Sequence, residues 1–112
     1  MKKIAVIGLG YVGLPLAVAF GKKMDVIGYD INEERIKALK NHNDKTKECS
    51  LKDLKEAVNL KFSCKESCLE FCKIFIITAP TPVDNANRPD FSLLKKATET
   101  VARYLKKDDI VI

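Results

Sequence analysis

Short apolar runs alternate with longer amphipathic segments along this chain. Runs at residues 3–7, 25–29 and 73–78 are rich in isoleucine and valine and are bounded by glycine or charge, which is typical of strands buried on both faces. The segments between the strands place apolar side chains at helical spacing. This alternation predicts an α/β fold built on a parallel sheet.

The full pattern gives five strands and five helices. The predicted strands are residues 3–7, 25–29, 60–63, 73–78 and 109–112. The predicted helices are one that begins near Tyr11, one at residues 33–41, one that follows Ser50, a short one at residues 65–71, and one from residue 92 to about residue 106. We therefore expect a Rossmann-type, doubly wound parallel sheet.

Polar segments mark the ends of these elements. Asn32 is placed to cap one helix, and Ser50 forms a capping box with Asp53 at the start of the next. Residues 41–49 are polar and predict an exposed loop. Residues 79–90 hold three of the four prolines and predict an irregular loop. That loop follows the carboxyl end of a strand, where ligands of open α/β sheets bind.

The last helix and strand set the limits of the expected domain. Asp90 or Ser92 caps the helix, whose predicted inner face consists of Leu93, Leu94, Ala97, Val101 and Leu105. A buried parallel strand is usually followed by a loop and a covering element, whereas this sequence stops at Ile112. We therefore expect residues 1–112 to be one domain whose sheet is truncated after about its fifth strand.

A glycine turn joins the first strand to the first helix. Gly8, Gly10 and Gly13 follow the strand directly, and Asp30 ends the second strand twenty residues after Gly10. In a dinucleotide site, such glycines allow a tight turn, a close approach of backbone N–H groups to a pyrophosphate, and close packing of the helix. The helix N-terminus attracts the phosphates. Glycines also serve ordinary turns, but their combination with the two strands and the strand-end acid favours a dinucleotide cofactor.

Composition and charge narrow the function. The 112 residues carry a net charge of +5, but the lysines are spread over several helices without an arginine-rich block, which argues against nucleic-acid binding. No apolar run is long enough to span a bilayer, and the N-terminus lacks the features of a signal peptide. We expect a cytoplasmic protein without membrane association.

Four cysteines offer a competing interpretation. Cys64, Cys68 and Cys72 recur every four residues, which would align them on one side of a short helix. Zinc sites commonly use a pair at a turn with a second pair elsewhere, and neither Cys49 nor the single histidine, His42, supplies that second pair. We expect buried or half-buried thiols in a reducing compartment, with a metal or redox role as the alternative.

Arg35 lies in the first turn of a helix, where a cation opposes the helix dipole. It belongs either to a solvated helix surface or to the adenosine end of the cofactor site beside Asp30. We favour the second position.

Three stretches carry a resemblance to a known family. The opening IAVIGLGYVGLPLA, the strand end GYDIN and the run FIITAPTPVDNANRPD resemble the N-terminal domain of the UDP-glucose/GDP-mannose dehydrogenase family, over all 112 residues. Within the family, the sequence is most similar to bacterial UDP-N-acetylhexosamine 6-dehydrogenases of capsule, O-antigen or Vi-type polysaccharide synthesis. The resemblance implies that a UDP-sugar is oxidised at its C6 alcohol to a carboxylate with two NAD+, by an enzyme that is a homodimer when intact.

The resemblance also implies roles for individual residues. It implies that the pyrophosphate turn consists of Gly8, Gly10, Tyr11, Val12 and Gly13. Asp30 matches the acid that binds the ribose, Arg35 the basic residue beside that ribose, and Thr81 a position that contacts the cofactor near its middle. The family's catalytic cysteine lies in a later segment, so no cysteine of this sequence is assigned to catalysis.

The charge at position 30 bears on the choice of cofactor. The Asp30 carboxylate accepts hydrogen bonds from ribose hydroxyls and repels a 2′-phosphate, which favours NAD over NADP. Arg35 leaves the alternative open, because an arginine nearby can receive that phosphate.

Two other functions share part of this pattern. A stand-alone NAD(H)-sensing regulatory module has the same glycine turn and strand-end acid, but it gives the proline loop no purpose. A methyltransferase also uses a glycine turn and an acidic strand end, and it would bind S-adenosylmethionine.

Overall fold

A parallel sheet lies at the centre of the molecule. The computed structural model describes residues 3–44, 49–83 and 85–112. The strands in these ranges are β1 (Ile4–Ile7), β2 (Val26–Tyr29), β3 (Leu60–Ser63), β4 (Ile74–Ile77) and β5 (Ile110–Val111). All neighbouring strands are parallel, in the order β3-β2-β1-β4-β5. This order confirms the predicted doubly wound Rossmann-type sheet, in which the winding reverses between β3 and β4.

Helices cover both faces of the sheet. They are α1 (Gly13–Gly21), α2 (Glu33–Lys40), α3 (Leu51–Glu56) and α4 (Ser92–Tyr104). Side chains of α1, α2 and α3 form one apolar cluster with Ile4 and Val6, whereas α4 contributes to a second cluster with Ala5 and Ile7. Successive residues of β1 therefore point to opposite faces, and both faces are buried. In the described ranges, no helix is long and apolar enough to cross a membrane.

Two of the predicted helix starts are confirmed. The Asn32 side chain accepts a hydrogen bond from the backbone N–H of Arg35 at 3.1 Å. Ser50 and Asp53 form the reciprocal capping box, in which each side chain accepts from the other residue's backbone N–H. These bonds satisfy N–H groups that the first turn of a helix leaves unpaired.

Helix α2 ends in a Schellman turn at His42. The backbone N–H of Asn43 donates to the carbonyl of Ala38 at 2.8 Å, and that of His42 donates to the carbonyl of Leu39 at 2.9 Å. His42 has a φ of 58°, in the left-handed region that favours glycine. A side chain at this position therefore costs stability.

We expect His42→Gly to raise the free energy of unfolding by about 0.5–1 kcal/mol, because glycine removes the strain between Cβ and the backbone. Urea unfolding followed by circular dichroism measures the change. Asn41→Gly is the matched control: Asn41 has a φ of −92°, which suits any residue, so glycine there should lower stability. An unchanged or lower stability of His42→Gly would contradict the strain at His42.

The predicted short helix at residues 65–71 is wrong. The structure has a single 3₁₀ turn there, Glu66–Leu69, as is common in short connections. Cys64 and Cys72 lie outside this turn, so the three thiols do not share one helix face.

The polar segment at residues 41–49 is not exposed throughout, contrary to expectation. Asp44 is only 8% exposed, because its carboxylate accepts hydrogen bonds from Arg35 and from the backbone N–H of Cys49. A polar composition predicts an exposed segment because burial of a polar side chain without a hydrogen-bond partner costs free energy. A side chain that has such partners can be buried. Residues 45–48 of the predicted loop lie outside the described residues.

Helix α4 lies close to its predicted bounds and buries part of its predicted inner face, since Val101 is buried and Leu94 and Ala97 are half-buried. The Asp90 carboxylate accepts a hydrogen bond from the backbone N–H of the first helical residue at 2.9 Å. Thr100 and Val101 are buried, whereas Leu93 and Leu105 of the predicted inner face are exposed. Leu105 is exposed because it follows the last helical residue, and Leu93 because it lies at the cavity described below.

Candidate functional site

The carboxyl ends of β1, β2 and β4 border a cavity of about 220 Å³. Its lining comes from the glycine turn, the end of β2, the start of the 79–90 loop and one side of α4. It includes Gly8, Gly10, Asp30, Ile31, Pro80 and Leu93. The cavity thus lies at the edge of the sheet where doubly wound folds bind their ligands.

The glycine turn has two positions that require glycine. Gly8 has a φ of 100°, which residues with a side chain rarely adopt. A Cβ on Gly13 would lie 1.9 Å from the carbonyl oxygen of Gly8 and 2.4 Å from Oγ1 of Thr78. The first turn of α1 therefore rests directly on the backbone of the glycine turn, as the glycine spacing predicts.

Thr78, at the end of β4, holds the glycine turn from the neighbouring strand. Its hydroxyl lies 2.7 Å from the carbonyl oxygen of Gly8 and 3.1 Å from that of Ile7, and shares its hydrogen between them. Sequence reasoning does not identify Thr78, because the hydroxyl and Gly8 are seventy residues apart in the chain. The one feature that could have indicated its role is its hydroxyl group, which lies at the end of the strand that pairs with β1.

The start of α1 is open to solvent. Tyr11 and Val12 are exposed, and the space that a Cβ on Gly10 would fill has no neighbouring atom within 4 Å. Val12, at the N-cap position, makes no side-chain hydrogen bond to the first turn. Backbone N–H groups at such a helix start attract anions, so this position suits a pyrophosphate.

Asp30 forms the opposite side of the site. Its Oδ2 accepts a hydrogen bond from the backbone N–H of Leu9 at 2.9 Å, and its Oδ1 accepts one from Asn32 at 3.0 Å. Each carboxylate oxygen can accept more than one hydrogen bond, so lone pairs remain for ribose hydroxyls. Asp30 thus ties the end of β2 to the glycine turn while it lines the cavity.

The Arg35 side chain also reaches the glycine turn. Its Nε and Nη2 donate to the carbonyl oxygen of Leu9 at 2.9 and 2.7 Å, and its Nη1 donates to Asp44 at 2.8 Å. The side chain is only 11% exposed, which does not fit a solvated helix surface. Its contact with the cofactor ribose stays a prediction.

The described part of the 79–90 loop, residues 79–83 and 85–90, is irregular, as predicted, apart from an isolated antiparallel bridge between Val83 and Pro89. Ala79 and Pro80 line the cavity. Thr81 follows them and is exposed, and its contact with the middle of the cofactor stays a prediction.

The walls of the cavity are mainly apolar. Ile31, after β2, is 59% exposed and Leu93, on α4, is 36% exposed, and both line the cavity. Buried Tyr29 lines it as well, and burial, followed by the charge of Glu66, raises the pKa of the Tyr29 phenol. A pocket of large apolar side chains beside a carboxylate suits a flat heterocycle attached to a ribose, so the residues fit the adenosine half of a dinucleotide.

The cysteines lie away from this cavity. None of Cys49, Cys64, Cys68 and Cys72 lines it, and in the described ranges no three His, Cys, Asp or Glu side chains come together as metal ligands. Burial raises the pKa of Cys68. Burial, followed by the charge of Cys68, raises the pKa of Cys72 to about 11. Because the thiolate is the nucleophile, these two thiols are poorly reactive at neutral pH.

We expect iodoacetamide to modify Cys72 far more slowly in the folded chain than in the urea-unfolded chain. With a pKa of about 11, only about one Cys72 in a thousand is a thiolate at pH 8. Mass spectrometry of peptides after timed labelling measures the rates. Cys64, which is half-buried, provides the internal comparison. Equal rates for Cys72 in the folded and unfolded chains would contradict its burial.

Comparison with known proteins agrees with this geometry. A sequence profile described as the UDP-glucose/GDP-mannose dehydrogenase family, NAD binding domain, matches residues 2–112. The chain belongs to this family. The match confirms the resemblance and the predicted cofactor, NAD.

Two curated relatives and one solved structure illustrate the family. The chain is 52% identical to UDP-N-acetyl-D-glucosamine 6-dehydrogenase of Pseudomonas aeruginosa and 49% identical to the protein of the same name from Salmonella typhi, in each case over 98% of this chain and 26% of the relative. The structure of UDP-D-ManNAc dehydrogenase from Pyrococcus horikoshii has a TM-score of 0.85 at 35% identity, over 98% of this chain and 27% of that one. The chain thus spans about a quarter of the length of these family members. Their names give no support to the regulatory alternative.

Proposed function

We propose that this chain binds NAD for a nucleotide-sugar 6-dehydrogenase. Such an enzyme oxidises the C6 alcohol of a UDP-hexose or UDP-N-acetylhexosamine to the uronic acid with two NAD+. The observation that carries the proposal is the junction at Leu9, where the glycine turn meets the Asp30 carboxylate over 2.9 Å beside the cavity. The names of the relatives at 52% and 49% identity support a UDP-N-acetylhexosamine as the substrate.

In this proposal, the predicted site residues contact different parts of the cofactor. The pyrophosphate is received by the backbone of Gly8, Gly10, Tyr11, Val12 and Gly13. Asp30 accepts hydrogen bonds from the adenosine ribose, Arg35 lies beside that ribose, and Thr81 approaches the middle of the cofactor. NAD+, when bound, supplies the hydride acceptor, and this chain binds and orients it.

Catalysis in this proposal requires residues outside the present sequence. Residues 1–112 form one NAD-binding domain, and the catalytic cysteine implied by the family resemblance lies in a later segment. The share of the relatives that the chain covers, 26%, supports this division. The intact enzyme is proposed to be a cytoplasmic homodimer that acts on a UDP-sugar, without nucleic-acid or membrane partners.

Calorimetric titration of the purified chain with NAD+, NADP+ and S-adenosylmethionine tests the cofactor. We expect NAD+ to bind and NADP+ to bind at least about tenfold more weakly, because Asp30 repels a 2′-phosphate. Binding of S-adenosylmethionine alone, or a clear preference for NADP+, contradicts the proposal. For the reaction, the gene is read beyond Ile112: a coding sequence without a cysteine-bearing C-terminal domain would rule out a working dehydrogenase.

A further inference from the structure

Asp44 is a buried carboxylate that the cofactor-binding roles above leave without a task. It follows α2, and its side chain is 0% exposed. Its Oδ1 accepts a hydrogen bond from Nη1 of Arg35 at 2.8 Å, and its Oδ2 accepts one from the backbone N–H of Cys49 at 2.9 Å. A charge buried to this degree is tolerated only when it is paired, and Arg35 is a cation that pairs with it.

Arg35 presents the rest of its guanidinium to a single oxygen. Nε and Nη2 both donate to the carbonyl of Leu9, at 2.9 and 2.7 Å. Asp44 binds the remaining nitrogen, Nη1, and so fixes the plane of the guanidinium in which this fork lies. The contact with Asp44 therefore determines where Arg35 points.

Leu9 connects this ion pair to the cofactor site. It is fully buried, its carbonyl receives Arg35, and its backbone N–H donates to Asp30 Oδ2 at 2.9 Å. One residue of the glycine turn is thus held by a cation on one side and by the ribose-binding carboxylate on the other. A shift of Arg35 changes the position of Leu9, and with it a hydrogen bond of Asp30.

We propose that Asp44 is a positioning residue of the cofactor site, which holds Arg35 on the Leu9 carbonyl and thereby makes the site select NAD+ over NADP+. This inference rests on the proposed function. It concerns a residue that touches no part of the cofactor and acts through Arg35.

Charge explains the selectivity. With Asp44 in place, the charge of Arg35 is neutralised and its fork is occupied, so the negative charge of Asp30 acts on a 2′-phosphate without compensation. Without Asp44, Arg35 is a cation without this neutralising charge, and the edge of its guanidinium that carries Nη1 loses its acceptor within reach of the glycine turn. Arginine binds phosphate through this edge, so the site gains affinity for NADP+ while the loosened Leu9 weakens the hold on NAD+.

Calorimetry of the full chain with NAD+ and with NADP+ tests the proposal in Asp44→Ala. We expect NAD+ to bind at least about fivefold more weakly, and the ratio of the NADP+ Kd to the NAD+ Kd to fall by at least about tenfold. Asp44→Asn keeps the shape and one acceptor oxygen, and it serves as the second variant if alanine prevents folding. In an Arg35→Gln background, the same Asp44 substitutions should leave the ratio unchanged, since Asp44 acts through Arg35.

Asp25→Asn is the matched control, because it removes the same charge from an exposed position just before β2. Its ratio should equal that of the wild type. If the Asp44 variants weaken both cofactors by the same factor, Asp44 only stabilises the fold and the proposal is wrong. Wild-type protein that binds no NAD+ would overturn the proposed function itself, whereas wild-type binding with an unchanged ratio in the variants would overturn this inference alone.

Discussion

Replacing Gly13 by alanine is expected to lower the free energy of unfolding by about 3 kcal/mol or more. The added Cβ would lie 1.9 Å from the carbonyl oxygen of Gly8 and 2.4 Å from Oγ1 of Thr78. Neither atom can yield easily, because the carbonyl is backbone and the hydroxyl is hydrogen-bonded to that same carbonyl at 2.7 Å. Helix α1 must therefore move away from the glycine turn. Thermal unfolding should show a Tm lower by about 10–20 °C.

Gly10→Ala is the matched control for this change. It adds the same methyl group two turn positions away from Gly8, where no atom lies within 4 Å. We expect its Tm to stay within about 2 °C of the wild type, whereas its affinity for NAD+ should fall because the methyl group occupies the space through which a pyrophosphate approaches. A Gly13→Ala protein as stable as Gly10→Ala would contradict the close packing of α1 on the turn.

The glycine turn and Asp30 are the parts of this site that the sequence alone can predict. The spacing of Gly8, Gly10 and Gly13 predicts the turn because an apolar strand precedes the glycines and a helix follows them. Asp30 is found by its distance along the chain and by its place at the end of a strand. These features depend on short stretches of sequence, so they can be recognised without knowledge of the tertiary structure.

The contacts that hold the turn in place are not local. The Thr78 hydroxyl reaches Gly8 across seventy residues, and the pairing of β1 with β4 brings the two together only after the winding reverses. Asp44 is hard to predict for another reason. It lies in a polar stretch that predicts exposure, and its burial depends on the guanidinium of Arg35. A sequence shows that both residues are charged, but it does not show that they pair.

Arg35 shows how a local rule can point to such a site. A cation in the first turn of a helix opposes the helix dipole, which is a small local conflict in an otherwise consistent segment. Its side chain turns back to the Leu9 carbonyl and to Asp44, and two acidic residues, Glu33 and Glu34, occupy the same turn. Departures from local preference concentrate at functional sites, and here Arg35 contacts Leu9, whose backbone N–H donates to the Asp30 carboxylate.

Asp30→Asn is expected to weaken NAD+ binding by about 5- to 150-fold, which corresponds to about 1–3 kcal/mol. The aspartate uses Oδ2 for the backbone N–H of Leu9 and Oδ1 for that of Asn32. An asparagine has one acceptor oxygen, so its NH₂ group must face one of these two N–H donors. The substitution thus disturbs the glycine turn and, in the proposed site, also removes an acceptor from the ribose hydroxyls. Calorimetric titration with NAD+ measures the loss.

Titration with NADP+ separates the two effects of this substitution. Disturbance of the glycine turn weakens both cofactors, whereas loss of the negative charge relieves the repulsion of the 2′-phosphate and affects NADP+ alone. We therefore expect the affinity for NADP+ to fall less than that for NAD+, or to rise. Asp25→Asn, with the same loss of charge at an exposed position before β2, should leave both affinities within about twofold. If Asp30→Asn binds NAD+ as tightly as this control does, Asp30 does not contact the ribose, and the adenosine half of the cofactor must lie elsewhere on the chain.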